Sequence, residues 1–174
     1  SQIHKLLTPA TLSIGPGFTF ISEAEESTYS IAGAELKYFM LKGGVLNYEL
    51  ISYVTGPTID SIILPCATKA GVEFSEVLYV PTSDGITPAI VAGSVDLNGY
   101  EFDLTGSNGL KYNTMTSKAS STIDPAFSSN VTISQADSIR INVSFQDISP
   151  ARALGYFGND LIEIPLDSVA IPYM

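Results

Sequence analysis

Few side chains in this sequence could move a proton near neutral pH. His4 is the only histidine and Cys66 is the only cysteine. A serine or cysteine nucleophile needs an adjacent base, so a relay of that kind would have to be built on His4. A transition-metal site needs several imidazole or thiolate ligands, and the composition does not supply them. The sequence therefore predicts no nucleophile relay, no metal site and no cofactor.

Three carboxylates are the remaining candidates for acid and base chemistry. Asp96, Glu101 and Asp103 lie within eight positions of one another. Two carboxylates suffice for glycoside hydrolysis when one of them is shielded from water and stays protonated. These three alternate with apolar residues, which predicts the solvated polar face of strands, where carboxylates stay ionised. We therefore predict that the chain is not an enzyme, and we assign no catalytic, cofactor-binding or metal-binding residue.

Four other polar or reactive features have simple interpretations. Cys66 follows an apolar run and Pro65, which predicts a small buried side chain. The acidic patch at residues 23–26 lacks the spaced oxygens and the glycine of a calcium loop, and it is interpreted as a solvated turn. Asn130 and Asn142 each begin a triplet of the N-glycosylation type, and the sequence leaves their modification open.

Charge and hydropathy exclude several classes of partner. The formal net charge is −10, from 18 acidic and 8 basic residues, and the cations are scattered singly. Binding to nucleic acid needs a cluster of cations on the phosphate backbone, so we predict no nucleic-acid partner. No apolar run reaches the roughly 18 residues of a membrane helix, so we predict no transmembrane segment. Only 15% of the residues are charged and 45% are hydrophobic, a profile typical of β-rich proteins.

Alternating runs and turn signals predict the fold class. Residues 94–106 form two alternating arms around Asn98-Gly99, which predicts a β-hairpin, and further hairpin turns are expected at residues 42–44 and 106–109. Residues 139–145 are the clearest strand, with Ile139, Ile141, Val143 and Phe145 on one face. We predict an all-β fold, either an antiparallel β-sandwich or a strongly curved two-layer sheet.

Irregular segments complete the sequence-based prediction. Helix is expected to be at most one short turn near Pro150, since Ser149 suits a helix N-cap and proline suits the first helical position. The Ser- and Thr-rich stretch at residues 113–130 is expected to be the least ordered part.

We expect one domain over residues 1–174, cut or processed from a longer protein, because the sequence begins at Ser1 and its last segment, residues 161–174, has apolar strand character.

Three segments carry a family resemblance. Residues 67–74 (ATKAGVEF), 103–109 (DLTGSNG) and 148–158 (ISPARALGYFG) resemble stretches of large cell-surface lipoproteins of Bacteroidota. The resemblance implies an extracytoplasmic β domain from a longer anchored protein, at the cell surface or secreted. It brings no catalytic residues, and the sequence has no lipid-anchoring cysteine near its start.

Function is predicted from what the strands expose. The strand at residues 45–54 has a second, partly apolar face through Ile51 and Tyr53, which favours an interaction module that binds a protein partner, a neighbouring domain or a second copy of the chain. Two alternatives stay open. The chain could be a carrier whose curved sheet encloses an apolar ligand such as a lipid. It could also be a carbohydrate-binding or carbohydrate-active β-sandwich that uses its nine tyrosines.

Overall fold

The computed structural model describes residues 2–5, 11–31, 33–134 and 137–157. The predicted all-β class is confirmed, and the described residues contain no helix. The strands are β1 (Gln2–Lys5), β2 (Thr11–Ile14), β3 (Thr19–Thr28), β4 (Glu35–Ser52), β5 (Thr58–Lys69), β6 (Val72–Val80), β7 (Ala89–Asp96), β8 (Glu101–Asp103), β9 (Thr114–Ile123), β10 (Val131–Ser134) and β11 (Ser138–Tyr156). The predicted strand at residues 161–174 lies outside the described residues.

Nine of these strands form one curled antiparallel sheet with the shape of a half-barrel. Its order is β1-β11-β4-β8-β5-β9-β3, with β6 added on β5 and β7 added on β4. A second, two-stranded sheet pairs β2 with β10. Because the large sheet curls, β3 at one end faces β11, the strand next to β1 at the other end, and no hydrogen-bonded ladder joins β3 to β11 within the described residues.

The glycine pair in β4 lies opposite a bulge in β11. The sequence predicted a hairpin at residues 42–44, and this prediction is wrong, because β4 runs through Gly43 and Gly44 for 18 residues. Gly44 has a φ of 148°, and β11 is bulged opposite this point, between Gln146 and Ser149. The glycines therefore bend a continuous strand, while the ladder to β11 continues on both sides of the bend.

The turn at Asn98-Gly99 forms, but the hairpin predicted around it does not. The Tyr100 amide donates to the Leu97 carbonyl at 3.0 Å, and Gly99 has a φ of 79°. The two arms do not pair with each other, because β7 and β8 both pair with β4. Residues 106–109 likewise form a turn that joins β8 to β9 without a ladder between these two strands.

The structure contains a two-residue hairpin at a different place. Lys69 pairs with Val72, and the turn residues Ala70 and Gly71 have φ values of 52° and 78°. Positive φ at both central positions is the requirement of a type I′ turn, whose twist matches that of the flanking strands. This hairpin joins β5 to β6.

Three segments that were predicted to be irregular are strands. Pro150 lies in β11 opposite Leu41, so the helical turn suggested near it does not form. The acidic patch at residues 23–26 belongs to β3, so its interpretation as a turn is wrong. Residues 114–123 form β9, which lies between β3 and β5, so the stretch expected to be least ordered contributes an interior strand of the sheet.

The core lies on the concave side of the large sheet. Phe102 is buried, stacks on Phe39 with ring centroids 4.7 Å apart, and meets the edge of Phe145 at 6.2 Å. These rings tie β8 to β4 and β11. The other fully buried large side chains include Phe74, Leu41, Leu46, Leu50, Leu97, Ile123, Ile133 and Ile139.

Candidate functional site

β3 and β11 face each other across a groove of about 440 Å³, which we call the β3–β11 groove. Its floor and one wall are apolar, and its opposite wall, on β3, is polar and acidic. The apolar lining consists of Ile62, Leu64, Met115, Ala119, Ile141, Val143 and Phe145. The polar lining consists of Glu23, Glu25, Ser27, Tyr29, Ser117, Lys118 and Ser144.

The apolar wall follows from the alternation that the sequence shows in β11. Ile141, Val143 and Phe145 share the inward face, and Val143 keeps 39% of its surface exposed. β1 pairs with β11 only as far as Ile141, opposite Gln2. Among the described residues, no strand pairs with that edge of β11 beyond this point. The groove therefore has an apolar wall next to a strand edge that no other described strand covers.

The acidic wall is set by the register of β3 on β9. Glu23 pairs with Ala119 and Glu25 pairs with Ser117, so both glutamates share the inward face with these two lining residues. Side chains at i and i+2 of a strand lie on the same face, about 6 to 7 Å apart. Two carboxylates therefore stand side by side above an apolar floor.

Glu26 points to the other side of β3 and has a structural role. Its carboxylate accepts a hydrogen bond from the Ser107 amide at 2.6 Å and forms an ion pair with Lys111. These contacts, with the Lys111 hydrogen bond the largest, lower the pKa of Glu26 to about 2. Glu26 thus ties β3 to the turn that follows β8.

A buried carboxylate lies on the same face of β5 as the groove floor. Asp60 is fully buried, two residues before Ile62. It accepts hydrogen bonds from the Thr58 hydroxyl at 2.5 Å and from the Ser121 hydroxyl. Burial raises the pKa of Asp60, and the two hydroxyl donors oppose this shift. This cluster was not predicted from the sequence, although a carboxylate at a core-facing position of an alternating strand was a usable signal.

A second cleft of about 460 Å³ lies on the other side of β3 and β9 and includes Cys66 and Asp103. The Cys66 thiol is buried, as predicted, and donates to the Thr116 carbonyl at 3.3 Å. Burial raises the pKa of this thiol. A buried thiol with a raised pKa forms little of the reactive thiolate.

The three candidate carboxylates are not gathered into one shielded site. Asp96 is exposed and accepts the Asn98 amide at 2.9 Å, and Asp103 is exposed and accepts the Thr105 amide at 2.9 Å. Both bonds are of the Asx-turn type, in which a carboxylate fixes the chain two residues ahead. Glu101 hydrogen-bonds Tyr38, whose pKa is raised mainly by burial and further by this bond. Of the three, only Asp103 lines the second cleft.

The other singled-out residues are dispersed. His4 lies on β1 opposite Ile139. Asn130 is exposed just before β10, while Asn142 is half-buried and donates a hydrogen bond from its side-chain amide to Glu49 at 3.1 Å.

Within the part of the chain that the structure describes, no three histidine, cysteine or acidic side chains are grouped so as to hold a metal ion. No helix in this same part is long and apolar enough to cross a membrane.

Comparisons with known proteins add no assignment. No protein-family model, no curated protein sequence and no solved structure matches this chain.

Proposed function

We propose that this protein is a non-enzymatic, extracytoplasmic interaction module that binds an extended segment of a protein partner in the β3–β11 groove. The observation that supports the proposal is the juxtaposition of an apolar wall with a strand edge that no described strand covers. In β-strand addition, main-chain hydrogen bonds to such an edge supply affinity, and neighbouring pockets accept alternate side chains. β11 offers the edge from Asn142 onward, and Val143 and Phe145 offer the apolar contacts.

The groove is a better candidate than the outer face of β4 that the sequence favoured. On that face Ile51 is only half-buried, and its partner Ile90 on β7 is 57% exposed. The two side chains lie beside each other on an open sheet surface, whereas the groove surrounds a ligand on three sides. Enclosure favours binding because it removes more apolar surface from water.

An apolar small molecule is the second candidate ligand. The volume of about 440 Å³ falls within the range of roughly 300 to 1,000 Å³ typical of ligand sites, and the floor is apolar. A lipid would use the floor and leave the backbone edge of β11 unpaired. A bound peptide strand would use both the apolar floor and the backbone edge of β11.

Peptide binding to the purified protein tests the proposal. The probe is a fluorescein-labelled nine-residue peptide, Val-Thr-Val-Thr-Val-Thr-Val-Thr-Val, and the readout is fluorescence anisotropy. We expect saturable binding that is lost in the variant Val143→Asp, which places a charge on the apolar wall. Ile90→Asp is the matched control, because it adds the same charge at an exposed apolar position outside the groove, and it should bind as the wild type does. Absence of binding to the wild type, or equal loss in both variants, would refute the proposal.

Native mass spectrometry distinguishes the lipid carrier from the peptide-binding module. A lipid that co-purifies with the wild type and is lost in Val143→Asp would favour the carrier. A protein that carries no lipid and binds the peptide would favour the strand-accepting module.

A further inference from the structure

The side chains at the floor of the β3–β11 groove determine how large a ligand side chain it can hold. We infer that the groove selects an extended segment with one large apolar side chain, of the size of phenylalanine, and that this side chain inserts between Val143 and Ala119. This inference rests on the proposed function. It goes beyond it by naming the side chain that the partner supplies and by naming Ala119 as the residue that sets its size.

The first argument is the small size of the side chains that β9 contributes to the groove. Ser117 and Ala119 share the inward face of β9, and both line the groove and are only half-buried. Ala119 lies directly between Glu23 on β3 and Ile62 on β5. Because these two short side chains extend little above the sheet, the space that longer side chains would fill at the same positions belongs to the groove.

The gap that these two residues leave is short. Before Ser117, the next inward-facing residue is Met115, which has a long side chain. After Ala119, the next is Ser121, which is buried and hydrogen-bonded to Asp60. Inward-facing positions are about 6 to 7 Å apart along a strand, both on β9 and on a bound segment. A gap of two such positions therefore accommodates one large side chain of the segment.

The second argument is the exposure of Val143 on the apolar wall. On β4, Tyr48 lies directly between Val143 of β11 and Gly93 of β7. A Cβ at Gly93 would overlap the Tyr48 hydroxyl and lie 2.6 Å from Cζ of the same ring, so the ring occupies the place of a side chain at position 93. Because Tyr48 leans toward β7, it leaves Val143 uncovered, and Val143 keeps 39% of its surface exposed although it faces inward.

The third argument is the polarity around these two positions. Ile62 and Leu64 line the groove next to Ala119, on the neighbouring strand β5. Phe145 is the next inward-facing residue of β11 after Val143. A charged or strongly polar side chain among these residues would lose its hydration, which costs free energy unless hydrogen bonds replace the lost water. A large apolar side chain would instead remove apolar surface of both partners from water.

Two labelled peptides test the inference on the full chain by fluorescence anisotropy. Their sequence is Ser-Thr-Ala-Thr-X-Thr-Ala-Thr-Ser, in which X is phenylalanine or alanine, so that only the central residue can be large and apolar. We expect the phenylalanine peptide to bind at least about tenfold more tightly than the alanine peptide, because the burial of such a side chain contributes at least that much. Equal binding of the two peptides would overturn the inference.

Two leucine substitutions locate the selectivity. Ala119→Leu fills the gap and should reduce the preference for phenylalanine over alanine to less than about twofold. Ala92→Leu is the matched control, because Ala92 is exposed on the outer face of β7, opposite Glu49 and away from the groove, and it should retain the preference. If the preference survives Ala119→Leu, or if Ala92→Leu also removes it, the gap on β9 does not set the size and the inference is wrong.

Nuclear Overhauser contacts in the wild type decide the question if Ala119→Leu does not fold. We expect contacts from the phenylalanine ring of the bound peptide to the methyl groups of Ala119 and Val143. Ring contacts confined to other residues would contradict the insertion.

The remaining outcomes separate the inference from the proposal on which it rests. If the two peptides bind equally and Val143→Asp abolishes binding, the groove is a strand-binding site without size selection, and only the inference fails. The same conclusion holds if the Val-Thr nonapeptide binds and the phenylalanine peptide does not. If none of these peptides binds the wild type, both the inference and the proposed function fail.

Discussion

Ser121 lies directly opposite Asp60 on the neighbouring strand, and its hydroxyl donates a hydrogen bond into the buried Asp60 carboxylate. Thr58 supplies a second hydroxyl from the same strand as Asp60. The sheet thus holds a carboxylate in its interior with two neutral hydroxyl donors, and neither of these hydrogen-bond partners is a cation. This arrangement has a consequence for stability against pH.

We expect Asp60 to weaken the fold as the pH rises. Because burial raises the pKa of Asp60 in the folded state, the folded protein holds this proton more tightly than the unfolded chain does. The contribution of Asp60 to the free energy of unfolding is therefore most favourable below the pKa of the unfolded chain, near 3.8. It is lost as the pH rises through the higher pKa that Asp60 has in the folded protein. Asp60→Asn should be at least as stable as the wild type at pH 7, as measured by urea unfolding. Marked destabilisation at pH 7 would show that the charged form is favoured.

Glu26 should stabilise the fold more as the pH rises, which is the opposite of the effect of Asp60. Its pKa falls from 4.5 to about 2 on folding, so its contribution is present above pH 4.5 and is lost as the pH falls toward 2. We expect Glu26→Ala to lower the urea midpoint at pH 7 and to have less effect at pH 2, where much of this stabilising contribution is already lost in the wild type. Glu73→Ala, on β6, is a control with the same change in net charge. An equal effect of Glu26→Ala at both pH values would contradict the role of the Lys111 ion pair.

The type I′ hairpin offers a stabilising substitution. Ala70 has a φ of 52° and is exposed at the tip between β5 and β6. Asparagine tolerates this conformation much better than alanine, which loses about 1 kcal/mol in it. We expect Ala70→Asn to raise the melting temperature by about 2 to 4 °C. Ala70→Val, a β-branched residue at positive φ, should lower it. No rise for asparagine would indicate a different turn geometry.

Gly155 marks a close approach of β11 to β4. A Cβ at this position would overlap the Glu35 carbonyl oxygen and lie 2.7 Å from the Leu36 Cα, and these are backbone atoms that cannot rotate away. We expect Gly155→Ala to destabilise the protein by about 1 to 3 kcal/mol, measured by chemical unfolding. Gly43→Ala is the control in the same strand pair, since its Cβ would come no closer than 4.0 Å to the Ser149 side chain. Equal effects of the two substitutions would contradict the close contact.

Local patterns predicted those elements whose side chains alternate clearly. The inward face of residues 139–145 follows directly from the sequence, and it forms one wall of the groove. The buried position of Cys66 was also predictable, because the residue follows an apolar run. These predictions depend on one strand at a time, and strand alternation is a local property.

The pairing of the strands was not predictable from local signals. Gly43-Gly44 and Asn98-Gly99 have the composition of hairpin turns, but β4 pairs with β11 on one side and with β7 and β8 on the other. Because of these ladders, the chain stays extended through Gly43-Gly44. After the turn at Asn98-Gly99 the chain pairs with β4, as β7 does before the turn. A glycine pair can form either a reversal or a bend, and contacts distant in sequence decide which one forms.

β9 was missed for a related reason. Its residues are mostly small and polar, a composition that also suits an irregular segment. In the fold it is an interior strand, with β3 and β5 on its two sides, and its hydroxyls pair across strands, as in Ser61 with Ser120 at 2.7 Å. With β9 called irregular, the sequence could not place Glu23 and Glu25 opposite the inward face of β11, so the groove itself was not predicted.

Amide hydrogen exchange, measured residue by residue with and without a bound nine-residue peptide, tests strand addition in the β3–β11 groove most directly. An added strand forms main-chain hydrogen bonds with the edge that it joins, so our account predicts that new protection appears in β11 at residues 142–146 and that β6 and β7 stay unchanged. Peptide binding without added protection on β11, or with protection confined to β6 or β7, would contradict it.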